Sequence, residues 1–171
     1  MKTCRSWLSF SATALVVAIL SGCGNSDLPS TSSVKGHVTY EGKPLADAMV
    51  IFSRGSRRMA EGEIALGRTD ANGNFELTTH VSGQADVKGA VPSNYEVTIS
   101  KKVPPKGISE ADYQARVDAL NKASEEGSSV APGKEPPPLV ELLPRDVSVP
   151  GSSKLTAEVK SNEMNDFQFD L

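Results

Sequence analysis

Apolar and polar residues alternate along much of the chain after Val34, with the period of two that half-buried β-strands show. The clearest alternating segments are residues 34–40, 95–99, 155–159 and 167–171. The run Met-Val-Ile-Phe at residues 49–52 is apolar on both faces and predicts a central strand. We therefore expect a β-rich domain in which most strands bury one face.

Turn signals separate these extended segments. Glu41-Gly42-Lys43-Pro44 predicts a turn, because glycine and proline supply the backbone angles that turns require. Asn72-Gly73 lies between the extended segments 64–69 and 75–79 and predicts a hairpin with a type I′ turn. A further short strand is expected near residues 86–91.

Residues 103–138 interrupt the β pattern and predict an insertion between two strands. Ser109, followed three residues later by Asp112, predicts the N-cap of a helix of about 14 residues. One face of this helix would carry Tyr113, Val117 and Leu120. Residues 124–138 are rich in glycine, serine and proline, as is typical of a linker.

About seven predicted strands with turns between them favour an all-β fold, a two-sheet β-sandwich in which each sheet buries one face against the other. One domain would span residues 34–171, with the helical and proline-rich insertion at 103–138. The predicted core consists of Val34, Val38, Val50, Phe52, Phe75, Leu77, Tyr95, Val97, Ile99, Leu155, Val159, Phe167 and Phe169.

The N-terminal segment has the three parts of a secretory signal peptide, which we assign to residues 1–22. Lys2 and Arg5 precede an apolar stretch of about 14 residues, shorter than the roughly 20 that a permanent membrane-spanning helix needs. Leu20-Ser21-Gly22-Cys23 then resembles a bacterial lipobox, which predicts cleavage before Cys23 and a lipid on that cysteine.

Residues 23–33 are polar and rich in serine, and they predict a flexible tether between the lipid and the domain. The protein would thus be exported and anchored to a bacterial membrane by the lipid on Cys23. Residue 24 is glycine rather than aspartate, which by analogy with lipoprotein sorting in Gram-negative bacteria indicates the outer membrane.

Cleavage would change the composition of the mature chain. Of the 18 basic residues, Lys2 and Arg5 lie before Cys23, so 16 remain against 21 acidic residues and the mature net charge is −5. Cys4 and Trp7 are removed as well, which leaves no free thiol and no tryptophan. An acidic chain without a basic patch argues against nucleic acid as a partner.

Several segments resemble carboxypeptidase-regulatory-like domains. Residues 34–45 (VKGHVTYEGKPL) and 48–52 (AMVIF) are similar to that family's opening pattern, G-x-V followed by G-x-P-L-x-x-A-x-V. Residues 67–75 (GRTDANGNF) resemble its T-D-x-x-G-x-F hairpin, and residues 94–99 (NYEVTI) resemble its Y-x-V-x-I strand.

Residues 155–159 and 165–171 look like the end of a lipoprotein subset of the same family. The resemblance implies a transthyretin-like or prealbumin-like Greek-key sandwich. It also implies an accessory, adhesive or binding role, because members of the family serve as such modules.

The residues that could bind a metal ion or act in catalysis have simpler structural explanations. The two histidines, His37 and His80, are expected to face solvent without converging on carboxylates. Asp70, Asn72 and Asn74 offer oxygens to calcium, but their spacing departs from the EF-hand pattern and a hairpin turn explains them. There is no nucleophile elbow and no mature cysteine, so we expect neither an enzyme nor a bound metal or cofactor.

These observations predict a non-catalytic, lipid-anchored module of the cell envelope with a structural or protein-interaction role. Its partners would be the membrane, through the lipid on Cys23, and an unidentified protein at an edge strand or at the insertion; no small-molecule substrate is predicted. The alternative is a carbohydrate-binding module that uses Tyr40 or Tyr113.

An isopeptide bond between Lys35 and Asn165 is disfavoured, since the alternation places Lys35 away from the core.

Overall fold

The structure is a computed structural model that describes residues 29–54, 64–80 and 86–171. The predicted signal peptide, Cys23 and most of the predicted tether lie outside the described residues. The polar segment 54–62, which its sequence predicts to be a loop, lies outside the described residues except for Arg54.

The described residues are mostly β-structure with two helices, as the alternation predicts. Five of the twelve described strand segments are only two residues long, so the expectation of about seven strands is not confirmed. The strands are β1 Val34–Tyr40, β2 Lys43–Pro44, β3 Met49–Ser53, β4 Ile64–Arg68, β5 Asn74–Glu76, β6 Thr78–Thr79, β7 Val87–Lys88, β8 Ser93–Ser100, β9 Lys102–Val103, β10 Val140–Glu141, β11 Leu155–Val159 and β12 Asn165–Asp170. The helices are α1 Glu110–Glu125 and α2 Arg145–Ser148.

Two larger sheets contain most of these strands. One has the order β12-β1-β2, with β5 also paired to β1, and the other has the order β11-β8-β3-β4-β6-β7. β1 and β12 run parallel, whereas the other pairs are antiparallel. The chain passes from the first sheet to the second between β2 and β3, and again at Leu77 between β5 and β6. β3 lies between β4 and β8, so the central strand predicted for residues 49–52 is confirmed.

The inner faces of both sheets contribute to one hydrophobic core. Phe52 on β3 is completely buried, and its ring centroid lies 5.5 Å from that of Phe167, 6.3 Å from that of Phe169 and 6.4 Å from that of Phe75 on the other sheet. Tyr95, from the same sheet as Phe52, lies 5.7 Å away. The aromatic residues are therefore gathered around one buried ring.

The predicted core is largely confirmed. Leu155 and Phe167 are half-buried but pack against it, and the other predicted members are buried. The structure adds residues, most of them small, that were not in the predicted core: Leu45, Ala48, Ala65, Ala90, Leu143 and Ala157.

The turn at Asn72-Gly73 differs from the predicted type I′ turn. Gly73 has a φ of +79°, but Asn72 does not have a positive φ. The N–H of Gly73 donates to the carbonyl oxygen of Asp70 at 3.0 Å, so the closed turn begins at Asp70. The Asp70 carboxylate accepts the N–H of Asn72 at 2.8 Å, which stabilises this alternative turn.

Two consecutive positive φ angles occur instead between β1 and β2. Glu41 has a φ of +51° and Gly42 a φ of +74°, and they separate the paired residues Tyr40 and Lys43. The conformation that a two-residue type I′ hairpin requires is therefore found here.

The insertion contains the helix that the sequence predicts. The hydroxyl of Ser109 accepts the N–H of Asp112 at 3.0 Å, which confirms the N-cap, and α1 extends over 16 residues instead of about 14. β9 and β10 form a two-stranded ribbon at the base of the insertion. The carboxylate of Glu141 accepts the N–H groups of Lys101 at 2.9 Å and of Leu143 at 3.1 Å, which fixes the chain where it re-enters the domain.

The last residues of the segment predicted as a tether make defined contacts. The N–H of Ser32 donates to Ala90 at 2.9 Å, and the N–H of Ala90 donates back to Ser32 at 3.0 Å. The hydroxyl of Thr31 donates to the carbonyl oxygen of Lys88 at 2.7 Å. These bonds attach residues 31 and 32 to the domain.

Thr98 on β8 is 2% exposed, and its hydroxyl has no hydrogen-bond partner in the described structure. We expect Thr98→Val to leave stability unchanged or to raise it by about 1 kcal/mol, because the substitution removes an unpaired buried hydroxyl at similar volume. Denaturant unfolding measures the difference.

Thr79→Val is the matched control for this substitution. The hydroxyl of Thr79 is equally buried but donates to the carbonyl oxygen of Gly89 at 2.8 Å, so its loss is expected to cost about 1–3 kcal/mol. An equal loss of stability in both variants would contradict the expectation for Thr98.

Candidate functional site

The structure does not bring the two histidines together. The Nε2 atom of His37 on β1 lies 2.8 Å from the carbonyl oxygen of Asn72. His80 follows β6 in the other sheet, and its Nδ1 atom lies 2.7 Å from the Oδ1 atom of Asp86. Each ring thus has a separate local partner. For His80 that partner is a carboxylate, which corrects the expectation that neither histidine would meet one.

The outer face of β1, β5 and β12 forms a shallow polar groove, which we call the β1 groove. Because side chains alternate along a strand, the residues that flank the buried positions of these three strands meet on this face. The groove has a volume of about 540 Å³. Its described lining consists of Lys35, Gly36, His37, Asp70, Asn74, Phe75, Glu76, Asp166 and Gln168.

The β1 groove contains more negative than positive groups. Asp70, Glu76 and Asp166 supply three carboxylates, whereas Lys35 supplies the lysine ammonium. The Nζ atom of Lys35 lies 3.4 Å from Asp166, and both side chains are about half exposed, so this surface ion pair contributes little to stability. The groove can offer hydrogen bonds and negative charge to a polar or cationic group.

The carboxylate of Asp70 is used by the turn that contains it, which joins β4 to β5 in different sheets. One oxygen accepts the N–H groups of Asn72 at 2.8 Å and Asn74 at 2.9 Å, and the other accepts the side-chain amide of Asn74 at 3.3 Å. The turn therefore accounts for the residues considered as calcium ligands. Within residues 29–54, 64–80 and 86–171, histidine, cysteine and acidic side chains form no group of three that could hold a metal ion.

The hydrogen bond from the N–H of Asn74 lowers the pKa of Asp70 from its ordinary value of 3.8, and the amide of Asn74 and the N–H of Asn72 lower it further. A carboxyl group whose pKa is lower in the folded state stabilises the fold above its unfolded pKa. That stabilisation is lost as the pH falls from about 4 through the folded pKa.

We expect Asp70→Asn to lower stability at neutral pH and to reduce the loss of stability between about pH 5 and pH 2. Urea unfolding across this range measures the effect. An Asp70→Asn profile parallel to the wild-type profile would refute the assignment.

Two residues considered for an isopeptide bond have other partners. Lys35 faces the groove and pairs with Asp166. The side chain of Asn165 is buried, accepts the N–H of Lys160 at 2.9 Å and donates to the carbonyl oxygens of Ser33, Lys160 and Glu163. Asn165 therefore organises the turn between β11 and β12.

A second shallow hollow lies on the β8–β11 pair and has a volume of about 610 Å³. Glu96 in this hollow accepts the N–H of Gly151 at 2.7 Å, so it holds the turn before β11. Its other described lining residues are Asn94, Tyr95, Thr156, Ala157 and Glu158. This hollow is also acidic, and it lies on the sheet opposite the β1 groove.

The helix α1 presents a mostly exposed surface. Ala123 is its buried residue, and the apolar face predicted from the sequence is partly accessible. Leu120 is 38% exposed, whereas Tyr113 and Val117 are half-buried. At the base of the insertion, Leu139, Val140 and Leu142 on and beside β10 are also exposed.

The aromatic residues offer few surfaces on which a sugar ring could stack. Tyr40 packs partly against the core, and Tyr113 is half-buried on α1. Phe52, Phe75, Tyr95 and Phe169 are buried.

The β1 groove was only partly predictable. The alternation places Lys35 and His37 on an outward face, but it does not show that Asp166 and Glu76 lie beside Lys35. The position of Asp166 depends on the parallel pairing of the first and last strands, for which the sequence contains no local signal.

In the part of the chain that the structure describes, neither helix combines the length and apolar character that crossing a lipid bilayer requires. No protein-family model matches the chain, and comparison with curated proteins and with solved structures likewise found no match.

Proposed function

We propose that this protein is a non-catalytic, lipid-anchored interaction module of the bacterial cell envelope. Its body would be a Greek-key β-sandwich of the carboxypeptidase-regulatory-like type, held at the membrane, in particular the outer membrane, by a lipid on Cys23. Its role would be to bind a partner protein at the surface that the insertion and the sheet edges present.

The shared core supports the β-sandwich. Phe52 comes from the six-stranded sheet, and the rings of Phe75, Phe167 and Phe169 that surround it come from the other sheet. The environment of Gly36 supports the family assignment, since the ring of Phe75 occupies the space where a side chain at position 36 would lie. Gly73 has a positive φ, and a Cβ atom there would meet the carbonyl oxygen of Val38, so both motif positions favour glycine.

The exposure of α1 is the observation that favours an interaction role. A helix of 16 residues is only marginally stable from its local propensities, and most protein helices gain stability by packing an apolar face. In α1 that face remains partly accessible, with Leu120 38% exposed. A partner that covers Leu120 and Val117 would bury their apolar surface, and such burial stabilises a complex by about 25 cal/mol for each Å² removed from water.

The anchor is tested by metabolic labelling with a fatty-acid probe. Wild-type protein is expected to incorporate the probe and to remain in the membrane fraction, whereas Cys23→Ala should lose both properties. Retained labelling in Cys23→Ala would refute lipidation at this residue.

The interaction role is tested with a photo-crosslinking amino acid placed at position 120 in full-length protein in native membranes. Position 66 is a matched control, because Leu66 and Leu120 are both 38% exposed but lie on different elements. We expect a discrete protein adduct at position 120 and not at position 66. Absence of an adduct at position 120, or equal adducts at both positions, would contradict binding through α1.

A carbohydrate-binding role would give a different result. Binding to a polysaccharide panel that is lost in Tyr113→Ala would favour it over the interaction module.

A further inference from the structure

β12 lies at an edge of its sheet. β12 pairs with β1 on one side, and among the described residues no strand pairs with its other side. The N–H of Asn165 donates to Ser33 at 3.1 Å, and the N–H of Leu171 donates to Thr39 at 3.0 Å. Both ends of this segment therefore direct their backbone groups toward β1.

Backbone direction alternates along a strand, so the groups of the intervening even-numbered residues point away from β1. These residues are Asp166, Gln168 and Asp170. An exposed row of N–H and C=O groups is a template on which another extended chain can pair. The row spans the length of β12.

The side chains along β12 indicate which residues an added strand would need. On the outer face, Asp166, Gln168 and Asp170 are exposed, and Asp70 and Glu76 line the adjoining β1 groove. Lys35 pairs with Asp166, so the carboxylates still outnumber the lysine ammonium on this face. On the inner face, Phe167 is half-buried at the edge of the core. A complementary strand would alternate basic side chains on the outer face with apolar side chains that cover Phe167.

A second β12 strand supplies no basic side chain to meet these requirements, since its exposed residues are Asp166, Gln168 and Asp170. Symmetric antiparallel pairing of two β12 strands about Gln168 would place Asp166 of one copy opposite Asp170 of the other. Like charges directly opposite each other destabilise a strand pair. The acidic edge therefore opposes self-association and favours a basic partner.

We propose that the edge of β12 binds an extended basic segment of a partner protein by adding it as a strand beside β12, with lysine or arginine alternating with apolar residues. This inference rests on the proposed interaction role and assigns the edge of β12 as a contact surface separate from α1.

The test uses the full-length protein and a fluorescent, end-blocked peptide of alternating lysine and valine. We expect saturable binding that weakens with added salt, because charges of the peptide would lie near exposed carboxylates. A peptide of alternating glutamate and valine should bind at least tenfold more weakly. Equal binding of the acidic and basic peptides would overturn the proposal.

Gln168→Pro tests the backbone contacts. Proline removes an N–H that points away from β1, and edge strands tolerate proline at such positions. We expect unchanged thermal unfolding and at least a tenfold loss of affinity for the basic peptide. A folded Gln168→Pro protein that binds the peptide as well as wild type would overturn the proposal.

A second measurement avoids any change to the protein. The basic peptide N-methylated at alternate residues cannot donate the hydrogen bonds that strand addition needs on that side, so it should bind at least tenfold more weakly than the unmodified peptide. Equal binding of the two peptides would indicate charge attraction alone and would refute strand addition.

Charge variants complete the test. Asp166→Asn combined with Asp170→Asn should weaken binding and reduce its salt dependence, whereas Glu158→Gln on β11 should leave both unchanged. If no basic peptide binds but position 120 still gives a discrete protein adduct, the β12 proposal fails and the interaction role through α1 stands. If the peptide binds and position 120 gives no adduct, the role assigned to α1 fails instead.

Discussion

Phe52→Ala is expected to lower the free energy of unfolding by about 3–5 kcal/mol. Phe52 is completely buried, and its ring lies against Tyr95 in its own sheet and against Phe75, Phe167 and Phe169 in the other sheet. Removal of the ring would leave a cavity between the two sheets, and both sheets would have to move to fill it. Because neither sheet can move toward the cavity without disturbing its own strand pairing, we expect little relaxation.

Chemical denaturation followed by circular dichroism measures this loss. A domain of ordinary stability has about 5–15 kcal/mol in total, so the variant should unfold at a much lower denaturant concentration. Leu66→Ala on β4 is the control, because Leu66 is 38% exposed and its truncation should change stability by less than about 1 kcal/mol. A loss below about 1 kcal/mol for Phe52→Ala would show that the two sheets do not depend on this ring.

The local patterns in the sequence predict the faces of the strands well. In β1, the alternation correctly separates buried Val34 and Val38 from outward Lys35 and His37. A strand places successive side chains on opposite faces whatever its neighbours are, so this information is contained in a few consecutive residues. The capped start of α1 at Ser109 was predictable for the same reason, since the N-cap bond joins residues three positions apart.

Strand pairing could not be predicted in the same way. Thr39 and Asp170, whose side chains form a hydrogen bond across β1 and β12, are 131 positions apart in the chain. Alternation shows which side of each strand is buried, but it does not show which strand lies beside it. The β1 groove and the open edge of β12 both depend on this pairing.

Short elements and small residues were also missed. β9 and β10 have two residues each, which is too short to show a period. The sequence predicts an extended piece at residues 139–143, but it does not predict β9 or the pairing of β10 with it. Ala48 and Ala65 are buried, although neither belonged to the predicted core. At Asn72-Gly73, the bonds accepted by the Asp70 carboxylate outweigh the dipeptide's preference for a type I′ turn.

Gly36→Ala is the second substitution with a large expected effect. Gly36 pairs with Phe75 on one side and with Phe167 on the other, in the middle of β1. A Cβ atom at this position would lie 2.7 Å from the Phe75 ring and nearer still to the carbonyl oxygen of Phe167. The ring belongs to the packed core and the oxygen to the backbone of β12, so neither can move without disturbing other contacts.

We expect Gly36→Ala to destabilise the domain by about 3 kcal/mol or more, at or above the upper end of the usual cost of overpacking. Denaturant unfolding provides the measurement. Gly42→Ala is the control, because a Cβ atom there meets nothing within 4 Å and the cost arises from the positive φ of +74°, at about 1–2 kcal/mol. Gly36 does not have a positive φ, so its cost arises from contacts alone. Equal losses in the two variants would show that the contacts of a methyl group at position 36 cost no more than a positive φ does at position 42.

The same substitution connects the core to the proposed binding edge. If the added methyl group displaces the backbone of Phe167, the neighbouring groups of Asp166 and Gln168 lose their regular spacing along the edge of β12. We therefore expect any folded fraction of Gly36→Ala to bind the alternating lysine–valine peptide more weakly than Gly42→Ala does. Equal affinities would show that β12 keeps its position and that the core accommodates the methyl group by moving Phe75.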